Sequence, residues 1–218
     1  RRFNEYKLVF KDRKVLDFGC GRGTFLNKLK DNNITKDLYS LEPNEQYHKW
    51  LSENTIIFSK IDTLFDNHFD YITMFHVLEH LKDPIAILKQ LKTKLNKQGQ
   101  IIIEIPNHND VLSTIYDATA YKDCVYVPWH LFYFTSNTLK LLLEKAGFEV
   151  EFIKQIQRYS LANHLHWLRL GKPNGHIVWS FLDNNILNQT YASQLAYLGV
   201  CDTLVVLISK KEKYDDKD

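Results

Sequence analysis

Residues 14–26 read Lys-Val-Leu-Asp-Phe-Gly-Cys-Gly-Arg-Gly-Thr-Phe-Leu, and this stretch decides the fold. A short apolar run ends in an acid, Asp17, and three glycines follow at alternating positions, Gly19, Gly21 and Gly23. Glycine allows backbone conformations and close approaches that a Cβ would block. The pattern therefore predicts a buried strand, a tight turn, and a helix N-terminus that a ligand can approach.

The spacing of these glycines distinguishes between two classes of nucleotide-binding site. Turns that bind dinucleotides follow G-x-G-x-x-G and neutralise a pyrophosphate. Here the spacing is G-x-G-x-G, and the carboxylate of Asp17 comes two residues before the first glycine. A carboxylate at that point suits a cationic ligand that carries an amino acid better than it suits a pyrophosphate.

The next apolar run supplies the second half of the site. Residues 37–44 form a short strand pattern that ends in Glu42. At the carboxyl end of the second strand of an α/β unit, an acid can accept hydrogen bonds from both ribose hydroxyls. Together the two motifs predict a nucleoside site.

Strand-like and helix-like segments alternate as far as residue 154, which is typical of a parallel sheet covered by helices. We predict an α/β fold: a Rossmann-like, seven-stranded, mostly parallel sheet with helices on both faces and a small, aromatic-rich cap. The predicted strands are 14–18, 37–41, 55–59, 69–75, 100–105, 148–153 and 203–208, and the predicted helices are 23–31, 44–52, 84–96 and 137–146.

Two segments exceed this repeat, at about residues 107–135 and 155–202, and both are rich in aromatic residues. Long connections inside a compact domain are usually functional covers, so we expect lid-like insertions in a single domain spanning 1–218. Most of their aromatic side chains are expected to form the core of the cap, and a minority to line an acceptor pocket.

Composition restricts the class of protein. The net charge of +2 gives no electrostatic case for nucleic acid, and the lysines near the C-terminus (Lys210, Lys211, Lys213) are balanced by nearby acids (Asp215, Asp216, Asp218). Three cysteines without paired spacing argue against a disulfide framework and a zinc site. No apolar stretch reaches the roughly 18 residues of a membrane span. We therefore expect a cytoplasmic protein.

The glycine motif resembles the first motif, D/E-x-G-x-G-x-G, of the class I S-adenosylmethionine (SAM)-dependent methyltransferases. Residues 69–81 resemble the fourth-strand motif "FD-x-I … vLEHl" of their ubiquinone-biosynthesis-like and sugar-modifying branch. Residues 97–107 are similar to the "kpGG-x-l-i-i-x-x-Pn" segment of that branch, and residues 130–148 to its "H-l-x-x-F-t … L-l-x-x-aGF" element. The resemblance covers about residues 12–154 and the final strand.

The resemblance implies SAM as cofactor and S-adenosylhomocysteine as product. It places the methionine end on Asp17 and the glycine turn, the ribose on Glu42, and the adenine beside a loosely matching stretch near residue 61. The implied cofactor residues are Asp17, Gly19, Cys20, Gly21, Gly23, Glu42, Pro43, Ile61, Asp62, Phe75 and His76.

Methyl transfer to a hydroxyl needs an aligned nucleophile and a base, and histidine titrates near neutrality. His76, His108 and His130 follow predicted strand or loop ends and are the candidate bases, whereas His80 suits packing or capping as well as catalysis. Candidate acceptor contacts are Asn107, Trp129, Tyr133, Tyr159 and His164.

His164 and His166 lie two residues apart and would diverge on a helix, so we expect no metal there. The plain alternative is that both are surface histidines.

We predict an enzyme that methylates a small polar acceptor. The first choice is a sugar, a nucleotide sugar or a sugar-linked group from bacterial surface-polysaccharide (capsule) synthesis. One alternative is a quinone precursor or other lipid-like ring, which would require a more continuously apolar lid. A non-catalytic SAM-binding protein is the second alternative. We expect neither nucleic acid nor a membrane as partner, and the sequence leaves monomer and homodimer open.

Overall fold

The computed structural model of the protein describes residues 1–211. Within them, the strands are β1 (Val15–Phe18), β2 (Leu38–Leu41), β3 (Ile56–Phe58), β4 (Phe69–Phe75), β5 (Leu95–Pro106), β6 (Phe148–Ile156) and β7 (Thr203–Lys210). The helices are α1 (Arg2–Tyr6), α2 (Thr24–Asp31), α3 (His48–Ser52), α4 (Pro84–Lys94), α5 (Thr119–Val125), α6 (Ser136–Lys145), α7 (Leu161–Leu170), α8 (Gly175–Val178) and α9 (Asn185–Leu198). The expected charge balance at Lys213, Asp215, Asp216 and Asp218 lies outside the described residues.

The strands form one mixed sheet in the order β3-β2-β1-β4-β5-β7-β6, which confirms the predicted seven-stranded, Rossmann-like fold. Strand β1 pairs in parallel with β2 on one side and β4 on the other, and all four of its residues are buried. Burial of both its faces explains why an apolar run without alternation forms this strand. The glycine turn therefore begins at the middle of the sheet.

Strand β5 begins at Leu95, five residues before the predicted start, and contains Gly99 rather than following it. A Cβ at Gly99 would lie 2.7 Å from the backbone oxygen of Phe69 and 2.9 Å from the Cβ of Leu95. Glycine is thus used here for a close approach inside a strand, not to end a connection.

The predicted helix at 44–52 is also wrong in part. A single 3-10 turn, Glu45–Tyr47, precedes the short helix α3, and Asn44 caps the turn by accepting a hydrogen bond from the backbone of Gln46 at 3.1 Å. Side-chain capping of this kind favours a turn over a continuous helix. At the other end of the fold, β6 continues three residues beyond its predicted end, to Ile156.

The chain divides into two compact units. The first unit comprises residues 1–103, 140–152 and the chain from Val206 on. Its core includes fully buried apolar side chains from the segment after α1 and from β1, α2 and β4. Examples, in that order, are Phe10, Leu16, Leu29 and Ile72. It contains the glycine turn and Glu42.

The second unit comprises residues 104–139 and 153–205, and so includes both insertions. Two small buried clusters support it: Val111 with Leu195 and Cys201, and Leu112 with Tyr121 and Trp167. The segment 155–202 is not a long loop, because α7, α8 and α9 fill most of it.

Capping residues define these helices. Ser160 accepts from the backbone of Asn163 at the start of α7, and Asn184 accepts from two backbone N–H groups at the start of α9. Gly171 and Gly199 end the same two helices in the left-handed conformation that glycine tolerates.

The expectation that most aromatic residues of the insertions form a core is wrong. Tyr121, Phe134 and Trp167 are buried, but most of the others are well exposed, including Tyr116, Tyr126, Trp129, Tyr133, Tyr159 and Phe181. Exposed aromatic faces are therefore a feature of the second unit.

Among the helices of residues 1–211, none combines the length and the apolar character needed to cross a bilayer.

Candidate active site

The glycine turn of the first unit has left-handed backbone at all three glycines, with φ of 72° at Gly19, 54° at Gly21 and 65° at Gly23. A Cβ at Gly19 would lie 2.7 Å from a methyl of Val77, and one at Gly23 would overlap the Trp50 ring. At Gly21 a Cβ would meet no atom within 4 Å. Packing thus requires two of the glycines, and the third faces open space that a ligand could fill.

Asp17 lies at the end of β1 with only 4% of its surface exposed. Thr73 of β4 donates a hydrogen bond to its carboxylate at 2.7 Å. Burial raises the pKa of Asp17 to about 7, against the lowering effects of the Thr73 hydrogen bond and the Arg2 charge. Burial likewise raises the pKa of the neighbouring Cys20 thiol. A cation that reaches Asp17 would stabilise its ionised form.

Glu42 follows β2 and is 8% exposed. One carboxylate oxygen accepts from the backbone N–H of Gly21 at 2.8 Å, and the other accepts from that of Asn44 at 2.9 Å. The acid is thereby fixed against the glycine turn, as the predicted nucleoside site requires. Each oxygen retains further acceptor capacity for a ligand hydroxyl.

Phe75, the last residue of β4, has a cationic neighbour that sequence reasoning missed. The guanidinium carbon of Arg2 lies 4.5 Å from the centre of the Phe75 ring, and Tyr6 stacks on the same ring at 6.4 Å. Helix α1 thus brings a positive charge close to Phe75 and near enough to Asp17 to lower its pKa. A lone arginine in a five-residue helix has no sequence motif that could have revealed it.

His76 follows β4 with a φ of 58°, an uncommon conformation for a residue with a Cβ. Its Nδ1 lies 3.4 Å from a carboxylate oxygen of Glu79, which is 2% exposed. Non-glycine residues held in this region often mark functional sites.

Three more predicted cofactor residues also lie in the first unit. Pro43 is exposed directly after Glu42, and the single-turn helix Ile61–Thr63 holds Ile61 half-buried and Asp62 exposed. Their cofactor roles stay predictions.

In the second unit, the structure brings two of the candidate bases to one tyrosine. The Tyr133 ring lies 6.1 Å from the His108 ring and 5.8 Å from the His130 ring. Tyr126 packs on both His108 and Tyr133. Trp129, another predicted acceptor contact, is 63% exposed.

Two other predicted acceptor contacts are buried. Asn107 is 4% exposed, and its amide donates to the backbone oxygen of Cys201 at 2.8 Å. His164 is fully buried, and its two ring nitrogens lie 3.0 Å from Gln157 Nε2 and 2.9 Å from the Tyr191 hydroxyl. The polar atoms of Asn107 and His164 are thus used in internal hydrogen bonds, and their roles as acceptor contacts stay predictions.

The surface-histidine alternative for His164 and His166 is also wrong, because the second ring is buried as well. His166 Nδ1 lies 2.7 Å from the backbone oxygen of Lys172, and its ring packs on Trp179. Burial lowers the pKa of His164 to about 4.

The remaining predicted acceptor contact, Tyr159, lies at a cavity of about 400 Å³ in the second unit. Every lining residue is polar or carries a polar group, and sequence reasoning identified only one of them: Arg158, Tyr159, Ser160, His176, Asp183 and Asn188. The residues come from three separate segments, so no local motif marks the cavity.

Comparison with solved structures places the fold among methyltransferases. A SAM-dependent methyltransferase from Archaeoglobus fulgidus superposes with a TM-score of 0.64 at 24% identity, covering 96% of this chain and 91% of that one. A SAM-dependent methyltransferase from Aquifex aeolicus gives 0.58 at 15% identity, covering 95% and 87%.

Curated sequences give a similar result over part of their length. The tRNA U34 carboxymethyltransferase of Aliarcobacter butzleri is 32% identical over 152 residues, which is 64% of this chain and 48% of that protein. The enzyme of the same name from Sulfurimonas denitrificans is 25% identical over 186 residues, 80% of this chain and 60% of that protein. The chain thus spans only about half of the first of these relatives.

The methyltransferase domain family matches residues 3–152, which include the glycine turn, Glu42, Phe75 and His76. SAM-dependent methyltransferases are among the solved structures that share this fold. The chain belongs to the methyltransferase domain family.

Proposed function

We propose that the first unit binds SAM through Asp17, the glycine turn and Glu42. The observation that carries this proposal is the pair of hydrogen bonds from the Gly21 and Asn44 backbones to Glu42, beside the open space at Gly21. Asp17 would hold the cofactor's ammonium group and Glu42 its ribose hydroxyls. Arg2 adds a cation near Asp17, suited to the cofactor's carboxylate.

Calorimetry with S-adenosylhomocysteine tests this assignment. Glu42→Ala should weaken binding by about 1.5–3 kcal/mol, because charge-assisted hydrogen bonds are lost. Glu45→Ala, at an exposed neighbour, is the matched control and should bind normally. Equal affinity in the two variants would remove Glu42 from the ribose role.

The bound cofactor supplies an activated methyl group, and the protein must align an acceptor and accept its proton. His108 and His130, which share Tyr133 as a neighbour, are the proposed bases, with His76 as a third candidate. For an amine or an already acidic acceptor, alignment alone would suffice.

For the acceptor, we propose a small polar molecule: a sugar, a nucleotide sugar or a sugar-linked group, as in bacterial surface-polysaccharide synthesis. The charged and hydrogen-bonding side chains at the 400 Å³ cavity, among them Arg158, His176 and Asp183, support this choice over a quinone precursor or other lipid-like ring. Its volume falls in the usual range for small-molecule sites.

An RNA nucleotide is the second candidate acceptor, because the names of the curated relatives specify tRNA. Against it, the net charge of +2 gives little attraction to a polyanion. The relatives are also matched over only part of their length.

One experiment separates these functions. The protein is incubated with methyl-labelled SAM and either pooled nucleotide sugars or total bacterial tRNA, and products are identified by mass spectrometry. We expect label in the sugar fraction. Label in nuclease-sensitive RNA would establish the second candidate, and cofactor binding without label in any fraction would favour a non-catalytic SAM-binding protein.

A further inference from the structure

The polar cavity of the second unit is built around Arg158. Its guanidinium lies 3.9 Å from a carboxylate oxygen of Glu104 and 3.5 Å from one of Asp202. Glu104 is fully buried, and Asp202 is 5% exposed. Two buried acids therefore fix the direction of this side chain, which is itself 31% exposed.

Asp202 is held in turn by the backbone that carries the cavity. One of its oxygens accepts from the N–H groups of Arg158 at 2.7 Å and Tyr159 at 3.1 Å, and from the Gln157 side chain at 2.9 Å. The Arg158 guanidinium carbon lies 5.3 Å from the centre of the Tyr159 ring. The side chains of Arg158 and Tyr159 thus lie next to each other, on a backbone that Asp202 holds in place.

Two other lining residues, Asn188 and Ser160, are also held by hydrogen bonds. The Asn188 side chain accepts from the backbone of Leu161 at 3.2 Å and donates to Asp183 at 2.8 Å. Ser160 accepts from the backbone of Asn163 at 3.3 Å. Lining groups whose rotamers are fixed in this way bind a ligand at a lower entropic cost.

The charges select the class of ligand. The single arginine is opposed by two buried acids, Glu104 and Asp202, and by the exposed Asp183 on the rim. The charge of Arg158 is thus matched by nearby acids, which suits a neutral ligand better than a phosphate. The cavity instead offers both donors and acceptors, together with a tyrosine ring that is 42% exposed. Sugars match this set, because their hydroxyls donate and accept and their C–H faces pack on aromatic rings.

We propose that this cavity binds the neutral sugar ring of the acceptor, with Tyr159 under the ring and Arg158, His176 and Asp183 on its hydroxyls. The proposal rests on the proposed methyl transfer to a sugar-containing acceptor. It adds the location of the sugar subsite and the prediction that the ring itself carries no negative charge.

Saturation-transfer NMR tests the proposal with UDP-glucose, UDP-galactose, GDP-mannose and UDP-N-acetylglucosamine as probes, and with UDP and GDP as sugar-free controls. S-adenosylhomocysteine is present throughout. We expect saturation of sugar-ring protons in at least one probe, and binding about tenfold weaker when His176→Ala and Asp183→Ala are combined, since two hydrogen-bonding groups are lost. Asp123→Ala, an exposed acid in the same unit, is the matched control.

Arg158→Met is a further variant, but it leaves buried acids unpaired and can unfold the unit. The double variant at the rim avoids that problem. Absence of ring signals from every probe, or unchanged ring signals in the double variant, would overturn the subsite. If labelled sugar products still form in that variant at the normal rate, the proposed function stands and only the subsite fails.

Discussion

At the scale of single residues, Gly21 differs from the other glycines of its turn. Its left-handed φ of 54° is combined with free space around its Cβ position. Gly199 at the end of α9 has the same combination, with a φ of 74° and no atom within 4 Å. A substitution at Gly199 therefore measures the cost of backbone strain alone.

Gly21→Val and Gly199→Val should each cost roughly 1–2 kcal/mol of stability, because a β-branched residue is strained at positive φ. Only Gly21→Val should also abolish binding of S-adenosylhomocysteine, since its side chain would occupy the ligand's space. Thermal unfolding and calorimetry on both variants check this. Loss of binding in both, or in neither, would contradict the position of the cofactor.

Asp17 should make the protein more stable in mild acid than in base. Its folded pKa of about 7 lies above the ordinary value of 3.8, so the folded state holds more protons and loses stability as the pH rises across that window. Asp17→Asn removes this loss. At pH 8 the variant should be more stable by about 1–3 kcal/mol, with no difference near pH 4.

The same substitution should weaken S-adenosylhomocysteine at least about tenfold, because a charge-assisted hydrogen bond to the ammonium is lost. Denaturant titrations at pH 4 and pH 8, with calorimetry, measure both effects. If Asp17→Asn were less stable than the natural chain at pH 8, burial would not destabilise the ionised Asp17 carboxylate.

At the scale of elements, the packing of α7 requires His164 in its uncharged form. The folded pKa of His164, about 4, lies below its ordinary value of 6.5, so its contribution is complete above pH 6.5 and declines as the pH falls towards 4. Asp110 in the same unit has a pKa raised to about 6 by burial, which has the opposite effect over part of this range.

Comparing the natural chain with His164→Gln isolates the contribution of the histidine to the pH dependence of stability, because Asp110 is present in both. The advantage of the natural chain at pH 7.5 should shrink by about 2 kcal/mol at pH 5. Denaturant unfolding followed at both pH values provides the measurement. An advantage that does not change with pH would show that His164 is not buried in its neutral form.

Sequence patterns predicted the elements that carry strong local signals. The run from β1 through the glycine turn to α2 was predicted within one residue, because a buried apolar run followed by three alternating glycines leaves few alternatives. Glu42 was likewise correctly placed at the end of β2.

The predictions were wrong where the structure depends on packing between residues that are distant in sequence. Strand β5 was predicted to begin at residue 100, but it begins at Leu95 and includes Gly99, which lies close to Phe69. The exposure of the aromatic residues in the insertions depends on tertiary packing, which the local sequence pattern does not report. The cavity at Arg158 is assembled from residues spread over positions 158–188, and no local motif marks them.

At the scale of the whole molecule, the two units should respond to different ligands. The first carries the proposed cofactor residues, and the second carries the proposed sugar subsite and two candidate bases. S-adenosylhomocysteine alone should slow hydrogen exchange at the glycine turn and at Glu42–Asn44. Segments 107–135 and 155–202 should slow only when a sugar nucleotide is added, in keeping with a role as lid.

Exchange followed by mass spectrometry over peptides from both units checks this, with UDP as the sugar-free control. Identical exchange in the two insertions with and without the sugar nucleotide would count against their role in binding the acceptor. Slowing by UDP alone would assign the effect to the nucleotide instead of the sugar.

The three cysteines have one practical consequence for such measurements. Cys20 is half-buried and Cys201 is buried, and burial raises the pKa of both thiols, whereas Cys124 is exposed on α5. Since thiolates are the reactive form, a maleimide dye at neutral pH should attach to Cys124 alone. The native chain therefore accepts a fluorescent reporter in its second unit without any engineering, and quenching or anisotropy of that dye would report acceptor binding in real time.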